Sequence, residues 1–132
     1  MRQLRKIRGE GGQALTEFAL VLPLLFVLIF AVIEGGITMN NYLQLTDAVR
    51  VAARSASVNG SQGSAVATSA ATSALTNSVD GLALQDVSVT ATSWTSGSAV
   101  TVQASTTYTV KLPLFGTVMS GKLTSHSTQR IE

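Results

Sequence analysis

The sequence contains no cysteine, which removes disulfide frameworks, thiolate metal sites and thiol nucleophiles together. It also leaves the redox compartment unmarked. Proline is scarce as well: Pro23 and Pro113 stand alone, so long helices and strands have few covalent breakers between them. One histidine, His126, lies in a polar, strand-like stretch and reads as a surface or edge residue, because no cluster of acid/base or ligating groups accompanies it. Serines are plentiful, yet none sits in a nucleophile-elbow context. Gly9, Gly11 and Gly12 precede an apolar run instead of opening a phosphate-binding helix. The expectation is therefore a non-enzyme with no catalytic residue, no metal and no cofactor. Aromatics make up 5% and charged residues 12% of the chain, which argues against a nucleic-acid partner, since that needs cations, usually beside aromatics, on the folded domain.

What charge exists is unevenly placed. Arg2, Arg5, Lys6 and Arg8 stand before Gln13 with Glu10 as their one opposing charge, and the remainder of the chain is close to neutral. Directly after this basic leader comes "GGQALTEFALVLPLLFVLIFAVIEGG", with no ionisable side chain from Phe18 to Ile33 and Glu17 alone interrupting the stretch back to Ala14. That is enough for a membrane helix of roughly 20 residues. The distribution follows the positive-inside rule, with a cytoplasmic N-terminus and everything after Glu34 translocated. A cleaved secretory signal is disfavoured, because the apolar run is long and no small-x-small site follows it at "AVIEGG". Glu17 is the anomaly: a carboxylate in a membrane helix costs about 2.5–3.5 kcal/mol at the centre, and less near an interface, so it implies a partner or a wet edge.

Past the apolar run the periodicity continues as an amphipathic helix. Leu45, Val49, Ala52, Ala53 and Ala56 recur at helical spacing, while Asp47, Arg50 and Arg54 fall elsewhere, as a solvated or partner-facing surface. Residues 14–57 thus read as one rod of ~65 Å, loosened at Gly35 and Gly36 and kinked at Pro23, whose missing amide leaves the carbonyl of Ala19 without its helical partner. "NGSQGS", residues 59–64, ends the rod by turn chemistry. Ser64 or a neighbour caps a second helix whose inner side is expected to carry Val66, Ala70, Ala74 and Leu75, and Asp80-Gly81 reads as a turn.

The last third alternates with period two. Val100, Val102, Ala104, Thr106, Tyr108, Val110 and Leu112 point one way, and Thr101, Gln103, Ser105, Thr107, Thr109 and Lys111 the other. Before them Val87, Val89 and Ala91 alternate with polar neighbours, and a turn around Gly97 joins the two strands. "LPLFGTVMSG" reads as a crossing, with "KLTSHSTQRI" as a weakly patterned third strand. The fold class is α+β: a long N-terminal hydrophobic transmembrane and stalk helix, a second short helix, and a small three-stranded antiparallel sheet. The domain reading is a leader over 1–12, the transmembrane and stalk helix over 13–58, and a small extracytoplasmic domain over 59–132.

The head of the apolar run resembles a known pattern. Gly12, then Gln13-Ala14-Leu15-Thr16, then Glu17 and Phe18 is similar to the prepilin processing motif of tight-adherence (Flp, type IV) pilus systems. "LTDAVRVAARSAS" and the closing "YTVKLPLFGTVMSGKLTSHSTQRIE" resemble the TadE-like minor pseudopilins. The resemblance implies a membrane-embedded prepilin peptidase as partner, cutting between Gly12 and Gln13 on the cytoplasmic side. The mature chain would begin at Gln13, and Glu17 would pair with the α-amine of a neighbouring subunit, beside Phe18. It implies a minor pseudopilin that primes or assists a Tad/Flp-type pilus, associating with other pilins through the hydrophobic helix. The expected location is the bacterial inner membrane, in a single pass, with the C-terminal domain periplasmic or in an extracellular pilus. The alternative is an unprocessed, single-pass envelope adhesin or scaffold, in which Glu17 marks the membrane boundary.

Overall fold

The structure is a computed structural model that describes residues 10–113 and 115–132. The leader cations Arg2, Arg5, Lys6 and Arg8 lie outside the described residues. One helix, α1 (Glu10–Asn59), runs without interruption through 50 residues, about 75 Å at 1.5 Å per residue. Pro23, Gly35 and Gly36 all lie within it. No proline follows Pro23 for the rest of the helix, and the all-apolar run passes into the one-sided stripe from Leu45 to Ala56 without a change of helical preference.

A 3₁₀ turn over Gly60–Gln62 ends the rod. Gly63, at φ 109°, then takes the N-cap position of α2 (Ser64–Ser78), with no side-chain capping bond. Ser64 is thus the first helical residue and not the cap. The inward face of α2 is also turned by one residue from expectation: Ala67, Ala71 and Leu75 are buried, whereas Val66 is exposed and Ala70 and Ala74 are half-buried. Through this face α2 packs on α1, with Ala71 and Leu75 in the same core cluster as Ala52 and Ala56.

Three strands follow, β1 (Leu84–Ala91), β2 (Ala99–Leu112) and β3 (Gly116–Arg130), as an antiparallel meander in the order β1-β2-β3. One face of the sheet receives the helices: α1 lies over β2 and β3, and α2 over α1 and β1. The core joins Leu45, Val49, Ala52, Ala53 and Ala56 of α1 to Leu75 of α2, Val100, Val102 and Ala104 of β2, and Ile131. The C-terminal half of α1 is therefore a core element of the αβ unit. On the opposite face polar residues pair across strands, as where the hydroxyls of Thr101 and Thr128 meet at 2.8 Å.

Two departures from simple alternation share one cause. The register of β1 against β2 shifts between Gln85 and Ser88, with Asp86 at φ 49°, a β-bulge that turns Val87 out to solvent. The bulge also covers Ser105, which lies on the polar phase of β2 but is 1% exposed. Its hydroxyl donates to the Gln85 carbonyl at 2.8 Å, so burial leaves it satisfied. The stretch expected as a crossing is instead a tight turn: the Phe115 amide donates to the Leu112 carbonyl at 3.2 Å, Gly116 adopts φ 71°, and β3 begins there.

Candidate processing and assembly site

The residues singled out at the head of the chain lie on the first turns of α1. Thr16 donates its hydroxyl to the carbonyl of Gly12 at 2.9 Å, and the side-chain amide of Gln13 donates to Glu17 Oε1 at 3.0 Å, one helical turn on. Gly12, Gln13, Glu17 and Phe18 are all exposed. Among the described residues Glu17 carries one side-chain bond, from Gln13, of the several its carboxylate can accept, since a carboxylate offers about four lone-pair sites. Phe18 is 60% exposed, and Leu20, Leu24, Phe26 and Leu28 beyond it are all more than half exposed. Such a bare apolar circumference has no place in water and calls for lipid or other helices around it. By length and composition this helix can cross a membrane.

The second cluster behaves differently. Asp47, Arg50 and Arg54 lie opposite the core-facing stripe of α1 and are exposed. Arg50 meets Asp47 at 3.4 Å, an exposed pair within one turn, of the kind that adds only about 0.3–0.5 kcal/mol. Arg54 instead reaches across the fold to Glu132 at 2.9 Å. There the amide of Glu132 donates to the Ser57 carbonyl at 3.1 Å, and Ile131 packs over Gly60. One of the three charges is thus committed to tying the end of the chain to the rod.

The sequence reading did not find the pairing of Lys122 with Asp86 across the β1 bulge. The Lys122 ammonium, by hydrogen bond and by charge, holds the Asp86 carboxyl below its ordinary range. The residues involved are 36 apart in sequence, and no local pattern signals such a pair. His126 is exposed on β3, an edge strand, as expected.

No curated protein and no solved structure matches the chain. Residues 12–54, however, match the family model described as TadE-like protein. The matched stretch begins at the glycine of the processing-type motif and ends at Arg54, spanning the apolar run and the core residues of α1 from Leu45 to Ala53. The likeness to the TadE-like family thus rests on residues 12–54, about a third of the chain.

Proposed function

We propose that this protein is a minor pseudopilin, processed by a prepilin peptidase between Gly12 and Gln13 and recruited to a Tad/Flp-type pilus through its apolar helix. The observation that carries the reading is the constellation Gly12, Glu17 and Phe18 at the head of a bare apolar helix, inside the TadE-like segment.

The local physics suits a cut at this point. The Gly12–Gln13 bond lies directly after a pair of glycines, Gly11 and Gly12, within α1. Gly11 and Gly12 each lower helix stability by about 0.8–1 kcal/mol relative to alanine. A protease that needs an extended substrate therefore meets little resistance there. Cleavage would free an α-amine on Gln13, cationic near neutral pH with an ordinary pKa of about 7.7–8.0. It would also remove the basic leader, which by the positive-inside rule holds the N-terminus in the cytoplasm.

Glu17 would then find its counter-charge. In a helix bundle that excludes water, a lone carboxylate is costly, but one that accepts a charge-assisted bond from a neighbour's ammonium is tolerated. The pairing would set axial register between subunits, because an apolar surface alone specifies none. The αβ unit would remain on the far side of the membrane, and the protein would act as an assembly component and not as a catalyst. Gly12→Ala in a host with its native peptidase tests the processing step. The expected result is a longer, uncut, membrane-bound chain, and processing equal to wild type would refute it.

A further inference from the structure

The β2–β3 hairpin outruns the rest of the sheet. β1 pairs with β2 only as far as the Leu84–Thr106 pair, whereas β2 and β3 stay paired down to Leu112 and Gly116. From Thr107 onward the hairpin is a two-stranded ribbon, and it runs beside α1 toward the helix's N-terminus. Its inner residues Tyr108, Val110 and Met119 face Ala31, Gly35 and Tyr42 across an open apolar cleft of about 590 Å³. Further on, Leu112, Pro113 and Phe115 face Pro23, Phe26 and Phe30 across a second one of about 470 Å³. The second group belongs to the apolar run that ends at Ile33.

We propose that the tip of this hairpin is a second membrane-contacting element, seated in the outer part of the same bilayer that α1 crosses, with lipid acyl chains filling the cleft between tip and helix. The inference rests on α1 spanning a bilayer, and not on processing or assembly. Three observations carry it. From Leu112 to Gly121 the sequence has no ionisable residue, and Phe115, Val118 and Met119 are 70%, 57% and 55% exposed. This apolar surface is continuous with that of the span, because Leu112 borders both clefts. The polar groups are graded along the ribbon: Lys111 sits exposed at the root of the tip, and Lys122, paired in register with Thr107, lies farther from it.

Depth follows from the helix rise. Phe30, Phe26 and Pro23 lie about 5, 10 and 15 Å inside the boundary marked by Ile33, so a tip beside them spans the range of about 5–10 Å typical of interfacial elements and reaches toward the inner limit of the outer leaflet. Lys111 then falls near the headgroups, where its stem can lie along apolar surface while its ammonium reaches anionic lipid. The ribbon's outer edges set the limit, because unpaired amides and carbonyls are not tolerated in the hydrocarbon core. The turn itself closes its backbone through the bond from Phe115 to Leu112. The tip can therefore enter the outer leaflet, and the open edges keep the ribbon from going deeper.

The chain has no native cysteine, so single spin labels can be placed without background. Full-length protein carrying Phe115→Cys, Leu24→Cys or Ser96→Cys is labelled and reconstituted in vesicles of phosphatidylcholine and phosphatidylglycerol. Collisions with oxygen, which enriches in lipid, and with a water-soluble nickel chelate are then compared. The expected result is that position 115 resembles position 24 in favouring oxygen, while position 96, at the far end of the sheet, favours the chelate. A position 115 that behaves like position 96 while position 24 stays in lipid overturns the proposal and leaves the span intact. Chelate access at both 24 and 115 overturns the proposal and the span together. Protection at 115 that vanishes when the protein is diluted into excess lipid assigns the tip to a second copy of the chain, and also overturns it.

Discussion

Replacing Glu17 by glutamine separates the two places where this side chain can matter. In the isolated chain Glu17 is exposed and its one described side-chain partner is Gln13 at 3.0 Å. Glutamine has nearly the same shape, can still accept from that amide, and is as good a helix former, so monomer stability should change by less than about 0.5 kcal/mol. In a packed bundle the substitution instead leaves a neighbour's ammonium buried without its counter-charge, a loss of about 3–5 kcal/mol. At 1.4 kcal/mol per decade this is roughly two to three and a half orders of magnitude in association. Two assays on the same cells read both terms. The mobility of the protein shows whether the leader is removed, and cross-linking or co-purification with the other pilins shows whether the chain joins them. The expected pattern is normal cleavage with co-assembly largely abolished. Normal co-assembly of Glu17→Gln would refute the pairing, and restoration of wild-type behaviour by Glu17→Ala would refute any role for the carboxylate.

Other outcomes follow from the packing of the αβ unit. Leu75→Ala removes a fully buried side chain that joins α2 to α1 and should cost about 2.7–5 kcal/mol; the partly buried Trp94, the one tryptophan in the chain, reports it by fluorescence during denaturation in detergent, and a loss under about 1 kcal/mol would contradict the helix packing. Gly60→Ala places a Cβ 2.8 Å from Ile131 side-chain carbons, so Ile131 and the Arg54–Glu132 pair should be displaced at a cost of about 1–3 kcal/mol; an unchanged Ile131 methyl resonance and melting midpoint would argue against it. The Asp86–Lys122 pair lowers the folded pKa of Asp86, so its contribution is present above the unfolded value of about 3.9 and lost as pH falls through the lower folded value. Lys122→Met should therefore trail wild type in denaturant midpoint at neutral pH and converge with it in acid, and a gap independent of pH would contradict the pairing.

Much of this fold is legible in the sequence because period and composition agree over long stretches. The rod shows in the run from Ala14 to Ile33 and in the spacing of Leu45, Val49, Ala52 and Ala56, and β2 shows in the alternation from Val100 to Leu112. What escapes the reading depends on contacts between distant segments. Ser105 is buried because a bulge in β1 covers it, and the inner face of α2 is set by the rotation at which the helix packs on α1, which its own pattern of alanines does not specify. The turn at Pro113–Phe115 was hidden by an apolar composition unlike that of ordinary hairpin loops. At the candidate site the order was reversed. Gly12 and Phe18 stand out by resemblance, and Glu17 also as the one charge in an apolar run; the proposed pairing between chains would leave no mark on the fold of one. Arg54 reads in the sequence as part of an outward surface, because its partner Glu132 is distant along the chain.

The most direct measurement is the N-terminal sequence, or the intact mass, of the protein recovered from a host that carries its native peptidase. A chain that begins at Gln13, with Glu17 as its fifth residue, is the predicted result. A chain that still begins at Met1 or Arg2 would contradict processing, reduce Glu17 to a marker of the membrane boundary, and leave an ordinary membrane-anchored envelope domain.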